Sequence, residues 1–267
     1  MNDSQKSLRW GLIAPGAIAR QIVSDFQVAG MTFVAVGGRN IERAQSFAAD
    51  FGIPVAGSIA ELLANPDVDV VYIASTQDAH REHVLAAVAA GKHVVVEKPF
   101  ALTGDEAQDM VDAARAAKVF LMEAMWTRFL PHMTKSFELI KTGVLGEIKS
   151  MEASFGHCLP PEVAPRLHDP ALGGGALIDL GIYPVSLAIR AFGFPVSFQA
   201  SSILDHQNLD QTTSLIFNYS DGRQANLMTS IATVLTTTAS IYGTKARLEI
   251  GHPFFENAPV RVVTNDD

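Results

Sequence analysis

The chain has a single cysteine, Cys158, among 267 residues. No disulfide can form within it, and nothing in its composition calls for an oxidising compartment. No basic run exceeds a pair, and a formal charge of -8 with a pI near 5.4 leaves no field to attract a polyphosphate backbone. Nucleic acid is therefore a poor partner. No uncharged apolar stretch reaches the roughly 18 residues that a membrane span needs, so no membrane association is expected. The opening Met1-Asn2-Asp3-Ser4-Gln5-Lys6-Ser7 is a polar leader rather than a signal sequence. Internal repeats and low-complexity segments are also missing. These absences point to a cytoplasmic protein, while 48% hydrophobic and 8% aromatic content supports two packed domains or one large one.

The first half alternates short β-branched runs with segments of helical period. A strand at Leu8 to Ala14 precedes a helix from Ala17, and a strand at Met31 to Val36 leads into a helix capped by Asn40 and stopped by Gly52. A short strand near Val55 is followed by a helix with Ser58 and Glu61 at capping-box spacing. Then come a strand at Val68 to Ala74, a helix at His80 to Ala90, a strand at Val94 to Glu97, a helix opened by Thr103 with Glu106 three residues on, and a strand at Val119 to Glu123. Such alternation predicts an α/β domain of Rossmann type, a doubly wound parallel sheet over residues 1–125. After Trp126 the rhythm changes. Helices at Leu130 to Lys141 and Ala176 to Phe192 flank a Gly- and Pro-rich region, and five strand-like runs follow between Phe198 and Ile250. Residues 126–267 are expected to form an α+β domain around an open-faced, mainly antiparallel sheet.

Candidate chemistry clusters where strands should end, because ligands of open parallel sheets lie beyond the strands' carboxyl ends. Val94-Val95-Val96 runs straight into Glu97, Lys98 and Pro99, so an apolar strand delivers a carboxylate and an ammonium to that edge. The first turn, Gly11 to Ala19, is an imperfect G-x-G-x-x-G/A fingerprint. Gly16 and Ala19 fit, but Ala14 stands where the first glycine belongs. Ala14, Pro15, Gly16, Ala17 and Ile18 are the expected pyrophosphate contacts, aided by the start of the following helix. The second strand ends in Gly38-Arg39 with no acid to hold a ribose 2′-hydroxyl, and an arginine there suits the 2′-phosphate of NADP, with NAD the alternative. Ser75, Thr76 and His80 follow the fourth strand and would line the same crevice. His80, His83 and His93 lack the spacing of a zinc site, and no metal is expected. Asp179 and Tyr183 are four residues apart, which on a helix puts carboxylate and phenol on one face. With Lys98 they make a workable acid-base set. Either the phenol takes the substrate proton, with the cation favouring its ionisation, or Lys98 is the base and Tyr183 orients the hydroxyl.

Glu97-Lys98-Pro99, Glu123-Ala124-Met125-Trp126-Thr127-Arg128-Phe129 and Gly173 to Pro184, in that order, resemble the Gfo/Idh/MocA oxidoreductases, in particular the branch of dimeric dihydrodiol dehydrogenase and NADP-dependent xylose dehydrogenase. The resemblance runs over essentially the whole chain. It implies reversible hydride transfer between NAD(P) and a CH-OH group of a sugar, polyol or cyclic diol, and a homodimer or higher homo-oligomer formed through the C-terminal sheet. It makes Lys98, Asp179 and Tyr183 the catalytic set, adds Trp126 and Arg128 to the cofactor contacts, and brings Trp126 and Phe155 beside Asp179 and Tyr183 as substrate-pocket walls. It also implies that the Lys98-Pro99 bond is cis. Relatives continue for some tens of residues past the position of Asp267, which implies a C-terminally truncated second domain. Two other readings of the same family stay open: a cofactor-binding regulator without turnover, and an oxidoreductase that keeps its nucleotide bound while cycling between two sugars.

Overall fold

The computed structural model describes residues 8–264; the polar leader at 1–7 lies outside them. The chain divides into two compact units, Met1–Met125 and Trp126–Asp267.

In the first unit, β1 (Trp10–Ile13), β2 (Phe33–Gly37), β3 (Val55–Gly57), β4 (Val70–Ile73), β5 (His93–Val96) and β6 (Leu121–Glu123) alternate with α1 (Ala17–Val28), α2 (Ile41–Phe51), α3 (Ile59–Ala64), α4 (His80–Ala89) and α5 (Gly104–Ala117). The strands are all parallel, in the order β3-β2-β1-β4-β5-β6. Their near-continuous apolar sequences follow from burial on both faces. Leu12, Val36, Tyr72 and Val95 pack with Ala19, Val23 and Phe47 on one side. Ile13, Val71, Ile73 and Val94 pack with Val84, Ala87 and Met110 on the other. The strand order reverses between β1 and β4, which opens a crevice at their carboxyl ends. The caps are local: Asn40 accepts from the Arg43 N–H at 2.8 Å, Gly52 closes α2 in the left-handed region, and Ser58 with Glu61 completes a capping box. At Thr103 the box is only half formed, because the Glu106 carboxylate accepts from Leu102 N–H instead.

The second unit carries α6 (Pro131–Lys141), β7 (Ile148–Gly156), α7 (Ile182–Phe192), β8 (Ser197–Leu204), β9 (Asp210–Asn218), β10 (Gln224–Ser230), β11 (Ala239–Gly243), β12 (Ala246–Ile250) and β13 (Val260–Thr264). Its sheet runs β13-β12-β11-β7-β10-β9-β8. β7 and β10 pair in parallel and all other neighbours are antiparallel. Sequence reading missed β13 and also β7, the central strand. In β7, Met151, Ala153 and Phe155 face the core while Glu152 and Ser154 alternate outwards. α7 packs on β7 and β10. Pro170–Phe192 has the length and apolar character of a membrane span, but half of it is buried inside this unit. The opposite face of the sheet is open. A groove of about 480 Å³ runs over it between Glu152, Ser154, Ser214, Ile216, Asn226 and Met228. Past the end of β7, exposed Cys158 bridges to Ala232.

Candidate active site

In the first unit a cavity of about 310 Å³ opens past the ends of β1, β2 and β4. Ala14, Pro15 and Gly16 form one wall, Gly38, Arg39, Asn40 and Arg43 a second, and Ser75, Thr76 and His83 a third. Ala14 takes the backbone that the expected glycine would supply: its φ is +67°, left-handed, and its N–H is donated to Gly37 O at 3.0 Å. Alanine pays for that conformation with about 1–2 kcal/mol of steric strain. Gly16 has an ordinary φ of -111° and only the Ala14 carbonyl within 4 Å of a would-be Cβ. Its missing side chain keeps room in the cavity rather than satisfying its own backbone. α1 begins there without a side-chain cap and with no acid in its first turn. N-terminal amides and the positive dipole end of a helix suit an anion. Arg39 and Arg43 add two cations, and none of the residues lining the cavity is an acid. The donor set fits a pyrophosphate with a further phosphate beyond it.

The expected contacts divide accordingly. Ala14, Pro15, Gly16, Gly38, Arg39, Ser75 and Thr76 line the cavity; Ala17 and Ile18 sit exposed in the first turn of α1 without lining it. His80 is a correction. It is buried, with Nδ1 3.0 Å from Pro99 O and Nε2 3.0 Å from Ser75 O, so both ring nitrogens face protein backbone rather than the cavity. His83 takes the place at the wall, its Nδ1 3.0 Å from Ser75 Oγ. Sequence reading missed His83, Asn40 and Arg43. Arg43, four residues past Arg39 at the start of a helix, could have been found by that spacing.

Glu97 and Lys98 lie just past β5, outside the lining of this cavity. Tyr72 Oη donates to Glu97 Oε1 at 2.5 Å. Burial first, and the Glu97 charge second, push the Tyr72 phenol well above its ordinary pKa, which keeps it a donor. The Lys98-Pro99 bond is cis, as the resemblance implied.

In the second unit Asp179 lies in a π-helical turn, Leu177–Gly181, that runs into α7. The widened turn precedes Pro184, which has no N–H to give the helix. It lies tight on the sheet: a Cβ at Gly181 would meet Leu177 Cδ1 at 2.9 Å and Thr229 Cγ2 at 3.1 Å. Asp210 of β9 holds its start, with Oδ2 accepting from Leu177 N–H at 2.7 Å. Asp179 is 6% exposed and ion-paired with Arg166 at 2.8 Å. Tyr183 is also buried, and its hydroxyl oxygen accepts from Trp126 Nε1 at 3.2 Å. Phe155 is 4% exposed and stacks on Phe255 at 4.2 Å. Its ring also lies 5.2 Å from that of Tyr183, beside which it was expected. Phe255 and Trp126 complete the surroundings of Tyr183, with ring centroids of Phe255 5.5 Å from Tyr183 and 6.4 Å from Trp126. Arg128 lies nearby, its carbonyl accepting from Arg190 Nη1 at 2.9 Å. Phe255, Arg166 and Asp210 were not foreseen; each reaches the site only through tertiary contacts.

The family described as "Oxidoreductase family, NAD-binding Rossmann fold" matches residues 8–125, and the GFO/IDH/MocA C-terminal domain matches residues 133–249. A trans-1,2-dihydrobenzene-1,2-diol dehydrogenase of Xenopus laevis is 36% identical over 263 residues, covering 96% of this chain and 78% of that protein. The chain belongs to the Gfo/Idh/MocA oxidoreductases. Solved relatives of this family have the same architecture. An aldose-aldose oxidoreductase from Caulobacter crescentus complexed with glycerol superposes with a TM-score of 0.88 at 26% identity, covering 97% of this chain and 81% of that one. A 3-ketoreductase from Actinomadura kijaniata in complex with NADP and TDP-benzene gives 0.86 at 26% identity, covering 97% and 85%. As a Gfo/Idh/MocA member the protein is an oxidoreductase with an NAD(P)-binding Rossmann domain and a mostly antiparallel second sheet.

Proposed function

We propose that the protein is an NADP-dependent dehydrogenase that oxidises a CH-OH group of a small sugar, polyol or cyclic diol. The observation that carries the cofactor choice is the pair Arg39 and Arg43 in a cavity whose lining has no acid. A 2′-phosphate gains charge-assisted hydrogen bonds there, and a bare ribose has no carboxylate to hold it. The NADP of the Actinomadura relative supports the same choice. The dihydrodiol dehydrogenases and the aldose oxidoreductase support the substrate class.

Bound at the α1 N-terminus, NADP supplies the hydride acceptor. The chain supplies the proton chemistry, assigned to Lys98, Asp179 and Tyr183. Tyr183 takes the hydroxyl proton as the C–H bond breaks, its oxygen held by the Trp126 indole N–H. Asp179, fixed by Arg166, orients the substrate hydroxyls through its remaining acceptor capacity. Trp126 and Phe255 present ring faces to the apolar C–H side of a cyclic substrate. Glu97, pinned by Tyr72, and Arg128 complete the cofactor contacts. A second copy docks on the open face of the sheet, where Ile203, Ile216 and Met228 stand among serines and threonines, and the protein works in the cytoplasm.

The test is absorbance of reduced cofactor across pentoses, hexoses, polyols and cyclic diols, with NADP and NAD side by side. Turnover with one of these substrates and a preference for NADP is expected. Equal use of the two cofactors overturns the cofactor choice, and turnover retained in Lys98→Ala overturns the catalytic assignment.

A further inference from the structure

Beyond β5 the chain leaves the sheet, and its backbone polar groups must find partners elsewhere. The last ladder contacts are Glu97 N–H to Ile73 O at 2.9 Å and Ala124 N–H to Val96 O at 2.7 Å. From there to α5, side chains hold the backbone. Glu123 Oε1 accepts from Phe100 N–H at 2.9 Å, and Glu106 Oε2 accepts from Leu102 N–H at 3.1 Å. The His80 Nδ1 lies 3.0 Å from Pro99 O and 3.3 Å from Phe100 O. On the far side of the same ring, Nε2 lies 3.0 Å from the carbonyl of Ser75, a residue of the cofactor cavity. The ring is 1% exposed.

We propose that His80 is a positioning residue for Lys98. It is a rigid strut between the Pro99 carbonyl, one peptide past Lys98, and the Ser75 carbonyl at the cofactor cavity, and it fixes the height of the Lys98 ammonium above the cofactor. The proposal rests on the reading of Lys98 as part of the catalytic set. The neutral ring donates from one nitrogen to one carbonyl and abuts the other carbonyl with its second nitrogen, and because the ring is planar the spacing between the carbonyls is set without rotatable bonds between the two contacts. A hydroxyl has one donor, and an amide has both its donors on one nitrogen at the end of a flexible chain, so neither fixes that spacing. Misplacement of a reacting group by about 1 Å costs on the order of 10²-fold in rate, so a strut remote from the chemistry acts on kcat.

The experiment uses the full chain with His80→Phe, which keeps a ring and removes both nitrogens, and His80→Gln, which keeps N–H donors on a flexible chain. Three quantities are read: kcat, the NADP dissociation constant from fluorescence titration, and the rate at which an amine-reactive acyl reagent labels Lys98, by mass spectrometry against Lys135 and Lys141 as internal references. In His80→Phe, kcat is expected to fall about 10- to 100-fold, NADP affinity to stay within about threefold, and Lys98 labelling to change by threefold or more while the reference lysines do not; His80→Gln should recover part of kcat. Unchanged Lys98 labelling overturns the proposal whatever kcat does, and so does a loss of NADP affinity parallel to the loss of kcat, which marks a collapsed cavity. Altered labelling with kcat intact upholds the strut and overturns instead the catalytic reading of Lys98. If His80→Phe does not fold, His80→Gln is judged on the same three readings.

Discussion

The two units hold their functional groups by different means. The first presents mainly backbone: a helix start, a left-handed residue at position 14, and strand ends that aim Arg39, Ser75 and Lys98. The second presents side chains braced by other side chains, an indole on a phenol, a guanidinium on a carboxylate and a ring stacked on a ring. A site made of backbone tolerates replacement of single side chains; one made of paired side chains passes each loss to its neighbour. Substitutions around Tyr183 should therefore act on the chemical step, and those lining the cavity of the first unit, at Arg39 and Arg43, on cofactor binding.

The sharpest test of that division is Tyr183→Phe. It removes only a hydroxyl, keeps the ring beside Phe155 and Phe255, and should lower kcat by roughly 10²- to 10⁴-fold with NADP affinity scarcely changed. Single-turnover rates across pH locate the base: near-normal hydride transfer with the basic limb retained would move that role to Lys98. The next effect lies in the first unit. Arg39→Ala should weaken NADP about tenfold or more, from the loss of a charge-assisted contact of roughly 1.5–3 kcal/mol, and should spare NAD; Arg43→Ala should show a smaller loss of the same selectivity in the same titration.

Acid should also separate the units. Burial is the first cause holding His80 and His83 below the ordinary histidine value of 6.5. The backbone carbonyls and Glu97 oppose it at His80. At His83, Glu82 and Asp78 oppose it, while Arg39 and His80 reinforce it. The unfolded chain then binds more protons as pH falls through 6.5, so the first unit loses stability on acidification below that value. Asp210 has the opposite sign: burial raises its carboxyl above the ordinary 3.8, so its contribution is full below 3.8 and is lost as pH rises through the folded-state value. Melting curves at stepped pH should flatten on the acid side in His80→Phe, and a slope unchanged by that substitution would remove His80 from the account. The smallest effect is Ala14→Gly. Relief of about 1–2 kcal/mol of left-handed strain, offset by about 0.4–1 kcal/mol of added freedom in the unfolded chain, should raise stability by about 1 kcal/mol or less in denaturant titration.

The first unit was legible because its signals are local. Apolar runs mark doubly covered strands, and Asn40, Gly52, Ser58 and Glu61 mark helix ends within three or four residues of the feature they cap. The helical stretch that carries Asp179 and Tyr183 was also legible, but the π turn that holds Asp179 was not, since a four-residue spacing reads the same in either helix. β7 escaped because its inward residues are separated by Glu152 and Ser154 in a run of moderate polarity, although the two-residue period is there. Arg166, Asp210 and Phe255 carry no local signal. Their roles come from pairings across 13 residues with Asp179, 33 with Leu177 and 100 with Phe155, distances over which one sequence has no periodicity to read. His80 was placed at the right turn and given the wrong contact, because spacing does not say whether a ring points into a crevice or beneath it.

The exposed Cys158 has a practical consequence. With one thiol in the whole chain, a maleimide dye attaches at a single address without any engineered substitution. That address is three residues past Phe155 on the same strand run and beside His157, whose ring lies 5.4 Å from Phe155. The protein thus carries its own optical reporter mount on the aromatic side of the chemistry, and emission changes there can be followed in real time as candidate substrates are added one by one.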